Sequence, residues 1–106
     1  STRQRFLGLR FDYPAPELER QIVMRETGAD TNLTNKLVGL AGSLRSLKDH
    51  DLEEAASTRL LVYTAKLVLG GYDPVEACRA AIVEPLTDED ETVKALMEVI
   101  YATFGR

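Results

Sequence analysis

Apolar positions along this chain recur at helical spacing almost everywhere except near its start. Leu7, Leu9, Phe11 and Tyr13 alternate with Gly8, Arg10 and Asp12, so Phe6–Tyr13 reads as a strand with one apolar face. Pro14-Ala15-Pro16 breaks it, and Pro16 suits the first turn of a helix whose inward stripe is Leu18, Ile22 and Val23. Glu17 and Glu19 complement that helix N-terminus, and Thr27-Gly28 marks its end. Asp30 or Thr31 then caps a second helix. There Leu33, Leu37, Leu40, Leu44 and Leu47 recur every three or four residues, the seam of a helix laid along another. Ser57 caps a third helix, apolar nearly all round from Leu60 to Leu69 and stopped by Gly70-Gly71. Such a helix belongs in the middle of a bundle. Asp73-Pro74 opens a fourth, with Val75, Cys78 and Ile82 inward, and Pro85 is expected to end it. Thr87 caps the last, with Asp90 returning the bond; Val93, Leu96, Met97, Ile100 and Phe104 face inward and Gly105 closes it. The pattern predicts a mainly α fold: a small bundle of about five helices preceded by one β-strand.

One strand cannot satisfy its own ladder of backbone groups. The expectation is therefore a piece cut from a larger sheet-containing protein; self-pairing of the strand, or its packing as an extended arm, are the alternatives. In 106 residues, 44% of them hydrophobic, there is enough for one modest core. A net charge of -4 opposes general nucleic-acid binding, which needs a basic footprint. One Cys excludes an internal disulfide and fits a reducing compartment; no apolar run reaches membrane-spanning length. A cytoplasmic domain without a membrane span is expected.

The chemistry-bearing residues are few. One His and one Cys, with no Gly-rich phosphate loop after a strand, do not make a complete active site. Asp49-His50-Asp51 lacks further ligands at metal-binding spacing and reads as a solvated loop, so no metal site is expected. Cys78, flanked by alanines, reads as a small core residue. The acidic run Asp88 to Glu91 reads as a solvated helix start. What remains are arginines. Arg59 lies in the first turn of the third helix, where the helix dipole offers a cation nothing, and the two together favour an anion. With Tyr63 and Lys66 it forms a narrow i, i+4, i+7 stripe. Arg3 and Arg5 precede the strand.

Several strings resemble the C-terminal part of the MoxR-group AAA+ ATPases, in the CbbQ/NorQ/NirQ branch. They are Ser1-Thr2-Arg3-Gln4-Arg5-Phe6 with Phe11-Asp12-Tyr13-Pro14, Ser57-Thr58-Arg59-Leu60-Leu61-Val62-Tyr63, Ala77-Cys78-Arg79, and Glu84-Pro85-Leu86-Thr87-Asp88. The resemblance implies two parts: residues 1–14 as the strand segment leaving the AAA+ core, and residues 15–106 as the helical lid. It implies that Arg59 is a second-sensor arginine contacting the phosphates of ATP, and that Arg5 is an arginine finger, with Arg3 the alternative. It implies ATP and Mg in the full-length protein but none in this piece, which lacks Walker A and Walker B and is not expected to hydrolyse ATP alone. The implied partners are the chain's own AAA+ core, a homo-oligomeric and usually hexameric ring, a von Willebrand A domain protein, and a target enzyme such as Rubisco, nitric oxide reductase or nitrite reductase. The rival reading is a small helical interaction module, dimerising through its strand, with no nucleotide role. A helix-turn-helix DNA binder is a poorer third.

Overall fold

Gly28 shows how closely local chemistry sets the helix boundaries in the computed structural model, which describes residues 14–47 and 57–105. Helix α1 (Pro16–Thr27) ends there because Gly28 takes a left-handed φ of 77°, letting its N–H reach the Met24 carbonyl at 2.8 Å. Helix α2 (Thr31–Arg45) begins at Asp30, whose side chain accepts from the Leu33 N–H at 2.8 Å. Helix α3 (Thr58–Leu69) begins at Ser57, whose Oγ accepts from the Leu60 N–H at 3.3 Å. Helix α4 (Pro74–Cys78) begins at Asp73, which accepts from the N–H groups of Val75 and Glu76. Each of these starts and stops follows from the residue that sits there.

Two boundaries differ from the sequence expectation. The fourth helix does not stop at Pro85. After α4 the rod continues through a π turn over Arg79–Val83 into α5 (Glu84–Leu86). In that turn the Glu84 N–H reaches back five residues to the Arg79 carbonyl. A regular α-turn would press the Pro85 ring on the carbonyl four residues back; the wider turn relieves this, and the missing proline N–H costs nothing there. The last helix, α6 (Asp90–Phe104), has Glu89 rather than Thr87 at its N-cap. Thr87 Oγ1 instead accepts from the Glu89 N–H at 3.0 Å, and the Thr92 hydroxyl donates to the Glu89 carboxylate. No side-chain capping box forms.

Counting α4, the π turn and α5 as one rod, five helical rods make up the described residues, and no strand occurs among them. The segment Phe6–Tyr13 read as a strand lies outside the described residues, as do Arg3, Arg5 and Asp49-His50-Asp51. Helix α3 packs against α1, α2, α4 and the π turn, while α6 packs against α2, α4 and the π turn. The core between them is apolar: Leu37, Leu40 and Leu44 of α2, Leu61 and Ala65 of α3, Val75, Cys78, Ala81 and Ile82 of the fourth rod, Leu96 and Ile100 of α6. The leucine seam of α2 is therefore intramolecular, with Leu33 and Leu47 half-buried at its ends.

Helix α3 is central but not enclosed on every side. Leu61, Thr64 and Ala65 are buried, whereas Arg59, Tyr63, Lys66 and Leu69 are exposed. The Arg59–Tyr63–Lys66 stripe lies on its exposed face. Helix α1 also turns differently from expectation: Leu18 is 49% exposed and Glu19 takes the inward place, 1% exposed.

Candidate functional site

The sequence-predicted sensor, Arg59, lies at the end of α3 where three helix termini converge. Glu19 sits in the first turn of α1, Arg45 is the last residue of α2 and Thr58 is the first of α3. Arg45 grips the Glu19 carboxylate with both prongs of its guanidinium, Nη1 to Oε1 at 3.0 Å and Nη2 to Oε2 at 2.6 Å. The Thr58 hydroxyl donates to the same Oε2 at 2.7 Å. A carboxylate so deeply buried is tolerable only because these donors replace its water.

Arg59 follows Thr58 by one residue, so its side chain leaves the helix about 100° further round. It is exposed, and no carboxylate pairs with it among the described residues. Ser57 Oγ and the Ser57 carbonyl take the Leu60 N–H, while helix geometry leaves the N–H groups of Thr58 and Arg59 without helical acceptors. An exposed guanidinium above the open end of a helix fits a phosphate oxygen in charge and donor count. Tyr63, 51% exposed, and Lys66 continue the line along α3. Of the three arginines singled out from sequence, this is the one within the described residues.

A concavity lies elsewhere among the described residues. A groove of about 380 Å³ runs between Gly28, Leu33, Lys36, Leu69 and Phe104, beside the C-terminal end of α3. Arg59 and Leu69 are ten residues apart on one helix, about 15 Å along its axis at 1.5 Å per residue. Two of the groove's polar side chains, beside Asn32, have partners within the fold: Asp30 caps α2, and Lys36 Nζ lies 5.9 Å from the centre of the Phe104 ring. Its wall combines Leu33, Val68, Leu69, Pro74 and Phe104 with Asp30, Asn32 and Lys36, whereas the buried Glu19–Arg45–Thr58 hydrogen bonds lie at the other end of α3.

Cys78 is no nucleophile. It is fully buried, and desolvation, with the Asp73 charge adding to it, pushes its pKa from 9.0 up to about 12. Among the described residues no group of His, Cys, Asp and Glu is arranged to hold a metal ion, and no helix is long and apolar enough to cross a membrane.

Sequence reasoning missed the Glu19–Arg45–Thr58 cluster. Glu19 has a sufficient local explanation in the helix dipole, yet it lies four residues before buried Val23 and so shares its inward face. Arg45 likewise lies four residues after buried Ala41. An acid and a base each prolonging an apolar stripe is the signal that could have found the pair.

The family model described as CbbQ/NirQ/NorQ C-terminal matches residues 19–103. The chain belongs to this family. Its first turn of α3, the clamp residues and most of α6 all fall inside the matched range. The chain is 54% identical over 100 residues to the "Denitrification regulatory protein NirQ" of Pseudomonas aeruginosa, covering 94% of this chain and 38% of that protein. It is 50% identical over 105 residues to "Protein NorQ" of Paracoccus denitrificans, covering 99% and 39% respectively. With "Protein CbbQ" of Hydrogenophilus thermoluteolus it shares 45% identity over 105 residues, covering 99% and 39%. The chain thus spans under two-fifths of the length of these CbbQ/NirQ/NorQ relatives.

Proposed function

We propose that this member of the CbbQ/NirQ/NorQ C-terminal family is the helical lid of an AAA+ ATPase, and that Arg59 is the residue with which the lid senses bound ATP. The observation that carries the reading is the placement of Arg59: exposed, without a carboxylate partner among the described residues, in the first turn of a helix whose other side is packed into the bundle. In open solvent such a guanidinium attracts phosphate weakly, because water and salt screen it. Docked against a nucleotide-binding core it is desolvated, and the same charge-assisted hydrogen bonds strengthen. The lid then closes on the core only when a phosphate is there to meet it, a rigid-body change driven by differential contact about Pro14-Ala15-Pro16.

ATP with Mg supplies the phosphate charge in the full-length protein, and the Walker motifs belong to the core. Arg5, with Arg3 as alternative, is assigned to the neighbouring subunit's site in a ring, a hexamer by family habit. The work of the ring is remodelling or activation of a target enzyme in the cytoplasm, together with a von Willebrand A domain protein. The name of the NirQ relative supports a regulatory role in denitrification, Rubisco is a target only by the family resemblance, and the residues of the lid do not choose between them.

The test is Arg59→Ala in the full-length protein. Affinity for ATP is expected to fall about tenfold, equivalent to roughly 1.4 kcal/mol, and ATP-dependent activation of the target to be lost. Unchanged affinity with unchanged activation overturns the reading and leaves the interaction-module alternative.

A further inference from the structure

Three helix termini meet at one buried carboxylate, and the residue after the third contact is the exposed arginine. Glu19 is in the turn of α1 that follows Pro14-Ala15, where the chain enters the bundle. Arg45 closes α2, and Thr58 opens α3 directly before Arg59. Within this cluster Glu19 Oε2 accepts from both Arg45 Nη2, at 2.6 Å, and Thr58 Oγ1, at 2.7 Å, while Oε1 takes Arg45 Nη1 at 3.0 Å. Glu19 is 1% and the Arg45 side chain 15% exposed.

Burying a charged pair is a poor way to gain stability, since desolvation offsets most of the attraction. What it does supply is direction. Apolar contacts tolerate a few degrees of rotation or a small slide along a helix axis, whereas a bidentate guanidinium–carboxylate fork is planar and fixes its partners in angle as well as distance. The Ser57 cap bond to Leu60 is long, at 3.3 Å, and would hold the first turn of α3 loosely by itself. The hydroxyl of Thr58 adds the anchor that fixes the turn's rotation. Because Thr58 and Arg59 are adjacent on a helix, fixing the inward side chain fixes the angle at which the outward one departs.

We propose that Glu19, Arg45 and Thr58 form a positioning device for Arg59, tying the entry of the chain into the bundle to the aim of the sensor. It rests on the reading of Arg59 as the nucleotide sensor. A tilt of α1 at the hinge is carried through the Glu19 carboxylate to the first turn of α3, so the lid and its arginine move as one piece. None of the three clamp residues touches nucleotide; they act through Arg59.

The experiment is a double-substitution cycle in the full-length protein, read as the affinity for a fluorescent N-methylanthraniloyl ATP, with thermal unfolding followed alongside. Arg59→Ala is expected to weaken binding about tenfold and Thr58→Val, which keeps shape and removes the hydroxyl, about fivefold. Thr58→Ser restores the hydroxyl and is expected to return affinity to within about twofold of wild type. In the Arg59→Ala background, Thr58→Val is expected to change affinity no further, since its route is already cut. Wild-type affinity in Thr58→Val, or an equal loss in both backgrounds, overturns the device while leaving the sensor reading intact. Unchanged affinity in Arg59→Ala alone overturns the sensor reading and the device with it. Should Thr58→Val fail to fold, Arg45→Lys asks the same question, keeping the charge while breaking the fork, with the same outcomes read against Arg59→Ala.

Discussion

The two sides of α3 are held by different physics. Toward α4 and the π turn it presents an apolar surface, and the core there is Leu61, Ala65, Val75, Cys78, Ala81 and Ile82. Toward the ends of α1 and α2 it is held by a carboxylate, a guanidinium and a hydroxyl. The apolar side contributes through area removed from water and degrades gradually as side chains are trimmed. The polar side is a set of mutually dependent partners, in which losing one weakens the hold on the others. A helix can thus be packed on one side for stability and on the other for orientation.

The largest effect that separates the two is expected from Glu19→Ala. It removes the carboxylate to which both the Arg45 guanidinium and the Thr58 hydroxyl donate, at a largely buried site and at a cost of about 3–5 kcal/mol, measurable as a lower midpoint in urea unfolding. Replacing Glu19 and Arg45 together by Leu and Met is expected to recover most of that loss, because no buried charge is then stranded. A double variant as unstable as the single one would mean that the pair is needed for stability rather than for direction.

On the apolar side the corresponding probe is Cys78. Its pKa is raised by burial to about 12 from 9.0, so the folded protein holds the proton more tightly than the unfolded chain. The contribution is fully present below pH 9 and is lost as pH rises from 9 toward 12, with a slope of at most about 1.4 kcal/mol per pH unit. Unfolding free energies at pH 8 and pH 10 are expected to differ in that direction, and Cys78→Ala to flatten the difference. Rapid alkylation of the folded protein at pH 8 would contradict this picture of a dry, closed side.

The two sides also differ in how legible they were. Apolar periodicity located Val75, Cys78 and Ile82, the α2 seam and the inward face of α6, because burial leaves its mark at helical spacing. Caps at Asp30, Ser57 and Asp73 and the stop at Gly28 were legible for the same reason: one residue type answers one unsatisfied backbone group. The clamp was not. Glu19 and Arg45 are 26 residues apart, and each has an ordinary local explanation, at a helix start and a helix end. Only the packing of α1 against α2 and α3 reveals that they meet. The π turn was equally hidden, since a proline normally argues for termination and nothing local announces the wider turn. Of the site itself, the outward stripe of Arg59, Tyr63 and Lys66 was read correctly as a stripe, while the arginine that is locked to an internal carboxylate is Arg45.

A smaller effect is expected at the far end of α3. Phe104→Ala removes a half-buried ring from the wall of the groove together with its contact to Lys36, for a loss of about 1–2 kcal/mol. In the full-length protein the affinity for ATP should stay at the wild-type value, because the groove and Arg59 occupy opposite ends of the helix. A loss of nucleotide binding as large as that of Arg59→Ala would place the groove in the same functional unit and dissolve the distinction between the two ends.

The smallest change in stability is expected from the proposed sensor. Arg59 is exposed and pairs with no carboxylate among the described residues, so Arg59→Ala should alter the unfolding free energy by no more than about 0.5 kcal/mol. Arg45→Ala, at the buried carboxylate that Thr58 also meets, should cost several times as much by taking the guanidinium from Glu19. Two arginines near one helix start are thereby sorted by a single pair of denaturation curves. A guanidinium kept at a surface with no structural return is free to answer to a ligand, whereas one that the fold cannot lose is committed to the fold. If the two substitutions prove equally destabilising, Arg59 is part of the scaffold, and its claim to sense phosphate falls with its freedom.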